Sequence, residues 1–600
     1  MASSQPYELI VKNGRYFDGT GGPSAVRHLG IRGGKVVAVS NTALDESGCR
    51  EVLDAAGKWV MPGFLDTHTH YDAELLASPG LKESVRHGVT TVTFGSCSIG
   101  MVCSEAEDCS DMFTRVESIP REHVLPLLRK AKRWDTPAGY VAHLESMPLG
   151  PNATAFLGHS DLRVSVMGLG RAVDRDQRPT EPELQRMEQV LEDGLDAGLL
   201  GLSTMTTKWD KLDGDRYRSA SLPTTYARWS EYARLNKILR RRGKIHQGAP
   251  NIVTKVNTFL FLGASLGIFR KKLKTTLITL MDVKSDGLMH RVVGKLAHFC
   301  NRFLNADFRW QALPCPFEVY ADGIDLVIFE EFGAGQAALH LQNEMERNRL
   351  MQDESYRRWF RRNYENRFGP RVWHRDFHDA RIAACPDASL VGKSFGQVAD
   401  ERGIHPVDAF LDLVVEHGRK LRWHTTIGNY RPHRLKKIVQ DKGAILSFSD
   451  AGAHIRNMAF YNFPLRMLKL VHDAEREGRP FMPLEKAVWR LTGELADWFD
   501  VDAGRLRLGD RADLVIVDPR GLDDALGAYA EAPIAEFDGL MRMVNRNDAA
   551  VSATVINGRI AWRDGAFAPD YGLVRGYGRF LRAGEHPARE VLETALEKAA

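Results

Sequence analysis

The sharpest chemical pattern in this 600-residue chain is the decapeptide Met61-Pro62-Gly63-Phe64-Leu65-Asp66-Thr67-His68-Thr69-His70. Its apolar first half reads as a strand, and alternate side chains of a strand share a face, so His68 and His70 point the same way. Two neutral imidazoles at one strand end can bind a single ion, at about 2.0–2.1 Å if it is zinc. The chemistry open to such a pair is that of a Lewis acid, which activates water and polarises a carbonyl. Two polar residues in a turn would look the same locally, so the surrounding elements must decide between the readings.

A strand-end metal pair gains meaning in a parallel barrel, whose chemistry gathers at the C-terminal ends of the strands. Residues 61–495 alternate strand-like and helix-like segments. The candidate strands are Gly63–Asp66, Thr90–Phe94, Gly139–Ala142, Leu199–Leu202, Lys244–His246, Thr276–Leu280, Leu421–His424 and Ala444–Phe448. Eight is the number a (β/α)8 barrel requires. The clearest helix begins at Thr180 as N-cap, with Pro182 in its first turn, Glu183 three residues on, and Leu184, Met187, Val190, Leu191 and Leu195 along one face. Residues 285–420 interrupt the alternation and read as an insertion or lid beside the barrel mouth. Outside the barrel, residues 1–60 and 496–565 share a texture of short β-rich runs and glycine turns, with Lys12-Asn13-Gly14-Arg15 near one end and Ile556-Asn557-Gly558-Arg559 near the other. That symmetry predicts one small β-sandwich domain assembled from both termini, followed by a C-terminal extension over 566–600.

Composition excludes several classes. The chain is 44% hydrophobic and 26% charged with a net charge of +4, as expected of a large-cored globular protein and not of a disordered or fibrous one. The basic runs Arg240-Arg241-Arg242 and Arg270-Lys271-Lys272 lie within or beside apolar-periodic segments and read as solvated helix faces, so no nucleic-acid partner is predicted. No apolar run is long enough to span a membrane and the N-terminus lacks the layout of a secretory signal, so the expectation is a soluble, cytoplasmic protein without a membrane partner. Seven scattered cysteines, at 49, 97, 103, 109, 300, 315 and 385, fit a reducing compartment better than a disulfide framework.

Four motifs, in order along the chain, carry a resemblance to a known family. They are Pro62-Gly63-Phe64-Leu65-Asp66-Thr67-His68-Thr69-His70-Tyr71-Asp72; His87-Gly88-Val89-Thr90-Thr91-Val92 with Gly95-Ser96-Cys97; Ser449-Asp450-Ala451-Gly452-Ala453-His454; and Gly509-Asp510-Arg511-Ala512-Asp513-Leu514-Val515. Together the chain resembles the amidohydrolase superfamily in its N-acyl-D-amino-acid deacylase (D-aminoacylase) branch. The resemblance implies a (β/α)8 barrel with a terminal β-sandwich. It implies zinc-dependent hydrolysis of the acyl C–N bond of an N-acyl-D-amino acid or a similar carboxylate-bearing amide.

By the same resemblance Cys97 is a thiolate ligand and His246 an imidazole ligand, while Asp450 is both ligand and general base. Lys284 and Arg456 are the cations assigned to the substrate carboxylate, with His454 beside them. At its sixth strand the branch carries His-His-Lys, whereas this chain has Met281-Asp282-Val283-Lys284. The loss leaves one zinc ion as the expectation, with Asp282 as a reserve oxygen ligand, and weakens the case for a second ion. It keeps open a different amide, a cyclic imide or a carbamate as substrate, or a catalytically silent barrel acting as a binding or assembly protein. A homo-oligomer is also left open.

Overall fold

The structure, a computed structural model, describes residues 6–251, 256–366 and 371–586. At its centre run eight strands: β1 (Phe64–Asp66), β2 (Val89–Phe94), β3 (Asn152–Ala155, continued by Leu157–Gly158), β4 (Gly201–Met205), β5 (Ile245–Ala249), β6 (Lys274–Ile278), β7 (Asp307–Gln311) and β8 (Ala444–Ile445). Each pairs in parallel with the next. Beyond β8 the chain hydrogen-bonds back to β1. The Thr67 amide donates to Ser447 Oγ at 2.7 Å, Ser447 Oγ donates to the Leu65 carbonyl at 2.9 Å, and the His70 amide donates to the Ala451 carbonyl at 2.7 Å. Parallel strands covered on both sides must be apolar on both sides, and Val89–Phe94 is buried at every position.

The helix at Glu181–Asp196 begins with the expected capping box, Thr180 accepting from the Glu183 amide and Glu183 reaching back to the Thr180 amide. Other expected elements fall elsewhere. Gly139–Ala142 lies inside the helix Pro137–Ser146, which Thr136 caps and Pro137 starts, a Thr-Pro start signal that outweighs the local β-like residues. The third strand is instead Asn152-Ala153-Thr154-Ala155, too small and polar to read as a strand alone; its side chains bond sideways, Thr154 to Thr93 at 2.7 Å and Asn152 Nδ2 to Asp513 at 2.9 Å. The seventh strand, Asp307–Gln311, was hidden in the span expected to be an insertion.

Leu421–His424 is β-structure but not a central strand. It falls in Arg422–Gly428, which pairs antiparallel with Phe317–Asp322 and Arg381–Ala384 in a separate three-stranded sheet. That sheet carries its own aromatic core, in which Phe410 stacks on Phe329 and Phe377 and meets Trp423 edge-on.

The two termini share one nine-stranded sheet. Its seam is the antiparallel pair Trp59–Pro62 and Leu514–Val517, in register from Leu514 opposite Pro62 to Val517 opposite Trp59. The strands form one continuous hydrogen-bonded sheet, branched where Leu9–Tyr16 pairs with both Glu51–Asp54 and Trp59–Pro62, around a core that includes Leu9, Leu29, Val60, Leu514 and Val555. The two Asn-Gly pairs do different work. Asn557-Gly558, both at positive φ, turns a hairpin between Val551–Ile556 and Arg559–Arg563. Asn13-Gly14 lies in mid-strand at a register shift, where a Cβ on Gly14 would sit 2.3 Å from Val60 Cγ2.

Candidate metal centre

The C-terminal ends of β1, β2 and β8 deliver His68, His70, Cys97 and Asp450 to one place. His68 and His70 follow β1 two residues apart, and their rings lie 5.3 Å apart on the same side. Cys97 sits in the turn after β2, which needs Gly95 at φ +71°, since a Cβ there would meet the Phe156 carbonyl oxygen at 2.3 Å. Cys97 itself is left-handed at φ +53°, as is Asp450 at φ +54°. Such conformations are unfavourable for residues bearing a Cβ and cluster where a side chain must be aimed.

The donor atoms are spaced as a metal would hold them. Cys97 Sγ is 3.3 Å from His68 Nε2, and Asp450 Oδ1 is 3.4 Å from His68 Nε2 and 3.6 Å from His70 Nε2. A tetrahedron with bonds of about 2.0–2.3 Å has edges of roughly 3.3–3.8 Å, a range that these three separations fall in. His68, His70 and Cys97, all buried, form the compact ligand group. Burial pushes the His68 imidazole down to about 4 and holds His70 well below its usual range, so both are neutral, as ligation requires. His68 Nδ1 donates to Gln311 Oε1 at 2.5 Å, which leaves its Nε2 lone pair facing the cluster.

Burial raises the pKa values of the carboxylates around the cluster. Burial, with the charges of Asp66 and Asp210, lifts Asp450 to about 8, and burial likewise lifts Asp66 and Asp210 to about 7. Glu117, its Oε1 3.1 Å from His70 Nδ1, is held well above the carboxylate range by burial and then by Asp450. Burial raises the Cys97 thiol too. A divalent ion would reverse each of these penalties, so the donor set fits a zinc ion in kind and spacing.

Four of the residues expected at the site stand away from this cluster. His246 alternates to the outer face of β5: its Nε2 is 3.1 Å from Thr204 Oγ1 and its ring packs 5.2 Å from Phe261. Its neighbour Gln247 faces inward, accepting from the Cys97 amide at 3.2 Å. Asp282 is fully buried against Arg431 and Arg434. Lys284 is neutralised by Asp379 at 2.5 Å, and Arg456 by Asp322 at 2.9 Å and Glu531 at 2.7 Å. His454 does reach the site, where its amide donates to the Glu117 carbonyl at 2.6 Å.

Glu117, Gln311, Gln247 and Asp210 are the site neighbours that sequence reasoning missed. None lies in a motif, and Gln311 ends a strand that was itself unrecognised.

The profile of the amidohydrolase family matches residues 51–221. An uncharacterized protein of Mycobacterium tuberculosis is 53% identical over 96% of both chains. The D-aminoacylase of Alcaligenes xylosoxydans xylosoxydans is 24% identical over 99% of both. Among solved structures, the N-acyl-D-glutamate deacylase of Bordetella bronchiseptica, complexed with zinc and a phosphonate mimic of the tetrahedral intermediate, superposes with a TM-score of 0.61 at 21% identity, covering 96% of this chain and 100% of that one.

Proposed function

Because the chain belongs to the amidohydrolase family, in the branch of the D-aminoacylases, we propose that it hydrolyses the acyl C–N bond of a small N-acylated D-amino acid. The observation that carries this reading is the convergence of His68, His70 and Cys97 as one buried ligand group, with Asp450 Oδ1 3.4 Å from His68 Nε2 and 3.6 Å from His70 Nε2. The same reading takes the ring of parallel strands over 61–495 as a (β/α)8 barrel with an insertion, and residues 1–60 with 496–565 as one β-domain.

His68, His70 and Cys97 would hold one zinc ion, with Asp450 as the fourth, exchangeable donor. When bound there, zinc supplies Lewis acidity that makes water easier to deprotonate near neutral pH. Asp450 accepts the proton of the attacking water through a carboxylate oxygen and returns it to the departing nitrogen. Gln311 orients His68 by accepting from its Nδ1, while Glu117 lies behind His70 at 3.1 Å without a hydrogen bond to the ring. The burial of both histidines excludes competing water from the reacting centre.

The substrate carboxylate needs a cation that is not already spoken for. Lys284 and Arg456 are both held in ion pairs, which supports Lys211 instead, whose ammonium makes no ion pair among the described residues although Glu330 and Asp210 act on it through space. Its ammonium is half-buried, burial lowers its pKa, its hydrogen bond is to Ser221 Oγ at 3.1 Å, and it follows Asp210, whose charge reaches Asp450.

The test is zinc analysis of the purified protein together with a panel of matched N-acyl-D- and N-acyl-L-amino acids. One zinc per chain and turnover of the D series is the expected result. A zinc-loaded protein inert on the whole panel would refute the proposed substrate class, and a protein without stoichiometric metal would refute the site.

A further inference from the structure

The helices flanking β6 carry an outer surface unlike the rest of the protein. Val256–Ser265, reading VNTFLFLGAS, has no charged residue, and Met289–Phe303, reading MHRVVGKLAHFCNRF, has basic residues and no acidic one. Large apolar side chains stand in solvent on both: Phe259 is 58% exposed, Phe299 51% and Phe303 65%, with Leu288 and Val292 exposed along the same face as the two phenylalanines. The turn after the first helix ends in Phe269, fully exposed at 105% and held at φ +56°.

This turn lies against the end of the second helix, because the Gly267 amide donates to the Leu304 carbonyl at 3.3 Å. The rings of Phe299 and Phe303 are 5.2 Å apart, so these two, Leu288 and Val292 on the same face, and the adjoining Phe269 turn present one apolar ridge. Exposed aromatic and aliphatic groups in one place mark a binding surface.

The charges around the patch name the partner's chemistry. Arg270, Lys271, Arg291, Lys295 and Arg302 surround it, and among the described residues none of them pairs with a carboxylate. On the preceding helix, Trp229–Arg242, by contrast, Arg234 pairs with Glu181 and Glu188, and Arg242 with Glu192 and Asp196. Arg270-Lys271-Lys272 is also not the solvated helix face expected from sequence but an extended segment leading into β6.

A second copy of the chain fits poorly, since a two-fold contact would set these unpaired cations against themselves. Nucleic acid would use the cations and an aromatic ring but has no use for Leu288 and Val292. An anionic lipid surface uses everything: phenylalanines enter between headgroups while the cations meet phosphates.

We propose that this patch docks the protein peripherally on an anionic membrane surface. The Phe269 turn feeds the N-terminal end of β6, opposite the strand ends that carry His68 and Asp450, so docking leaves the site's mouth open. No helix of the described structure is long and apolar enough to cross a membrane, and surface docking requires none. The inference does not depend on the proposed hydrolysis.

The test is flotation of the full-length protein with vesicles of phosphatidylcholine alone or mixed equally with phosphatidylglycerol. The protein is expected to float with the anionic vesicles and not with the neutral ones. Each of Lys271→Glu and Lys295→Glu should weaken binding by about fivefold or more, as loss of roughly one surface-attracted charge predicts. Phe269→Ser should abolish most of what remains, with the melting temperature unchanged as the control for folding. Absence from anionic vesicles overturns the proposal, as does equal flotation of all variants. So does a dimer in solution that the Phe303→Ser variant dissociates, or retention on duplex DNA without vesicle binding.

Discussion

Replacing Asp450 by Asn should have opposite effects on catalysis and on the stability of the metal-free protein. Asparagine keeps the shape of the side chain beside His68 and His70 but cannot accept a proton at neutral pH. Loss of a general base costs about 10² to 10⁴ in kcat, or roughly 3–5 kcal/mol of transition-state stabilisation. In the metal-free protein the same carboxyl is lifted from 3.8 to about 8 by burial and by Asp66 and Asp210. For an acid whose folded pKa is raised, stability is full below the unfolded pKa and is lost as pH rises towards the folded one. Between pH 3.8 and about pH 7 this loss grows to at most about 4 kcal/mol, at 1.36 kcal/mol per unit. The Asn variant carries no such penalty.

Thermal unfolding in chelator should therefore show Asp450→Asn melting above the wild type at about pH 7, with the gap closing towards about pH 4. Turnover with zinc restored should collapse in the same variant. A metal-free variant no more stable than the wild type at either pH would refute the burial penalty assigned to this carboxylate. Near-normal kcat with full zinc would refute its role as base.

Cys97→Ala should lower zinc content and activity together, and full zinc with full turnover would mean that the thiol only packs. Lys211→Met should raise KM for an N-acyl amino acid over the matching amide without a carboxylate by about 1.5–3 kcal/mol, whereas Lys284→Met should leave that ratio unchanged; comparing the two substrates in steady-state kinetics checks both. Glu231, although buried, is held at about 2 by hydrogen bonding from His159 at 2.8 Å and by the Arg163 guanidinium. Glu231→Gln should therefore cost about 3 kcal/mol at neutral pH, as removing one partner of a buried ion pair does. Because the folded pKa is depressed, the wild-type advantage should fade as pH drops from about 4.5 towards about 2, and a pH-independent difference in denaturation would contradict the assignment.

The sequence was most legible where chemistry and local structure coincide. The strand Phe64–Asp66 running into His-X-His, the Thr180 capping box and the Asn557-Gly558 hairpin each depend on contacts within a few residues. The motif Ser449-Asp450 also signalled itself, because it closes a run of small and apolar residues, Ala444 to Phe448, of which Ala444–Ile445 pairs as strand. Legibility failed where a strand is held by its neighbours. Asn152–Ala155 and Asp307–Gln311 have too few branched apolar side chains to announce a strand, and only lateral pairing makes them one.

The face on which a residue lands was a tertiary decision. A shift of one residue along β5 exchanges His246 for Gln247, and the register set by pairing Ile245 with Lys274 and Gly201 sends the imidazole outward to Phe261. Lys284, Arg456 and Asp282 were judged by type, yet a charge becomes available or spent according to the counter-ion that folding places beside it, here Asp379 from 95 residues away and Arg431 from 149. The sequence by itself determined which atoms could bind a metal and that two of them share a strand end. Only the tertiary structure decided that Cys97 and Asp450 meet them at ligand spacing while His246 does not, because donor geometry depends on strands distant in sequence being brought side by side.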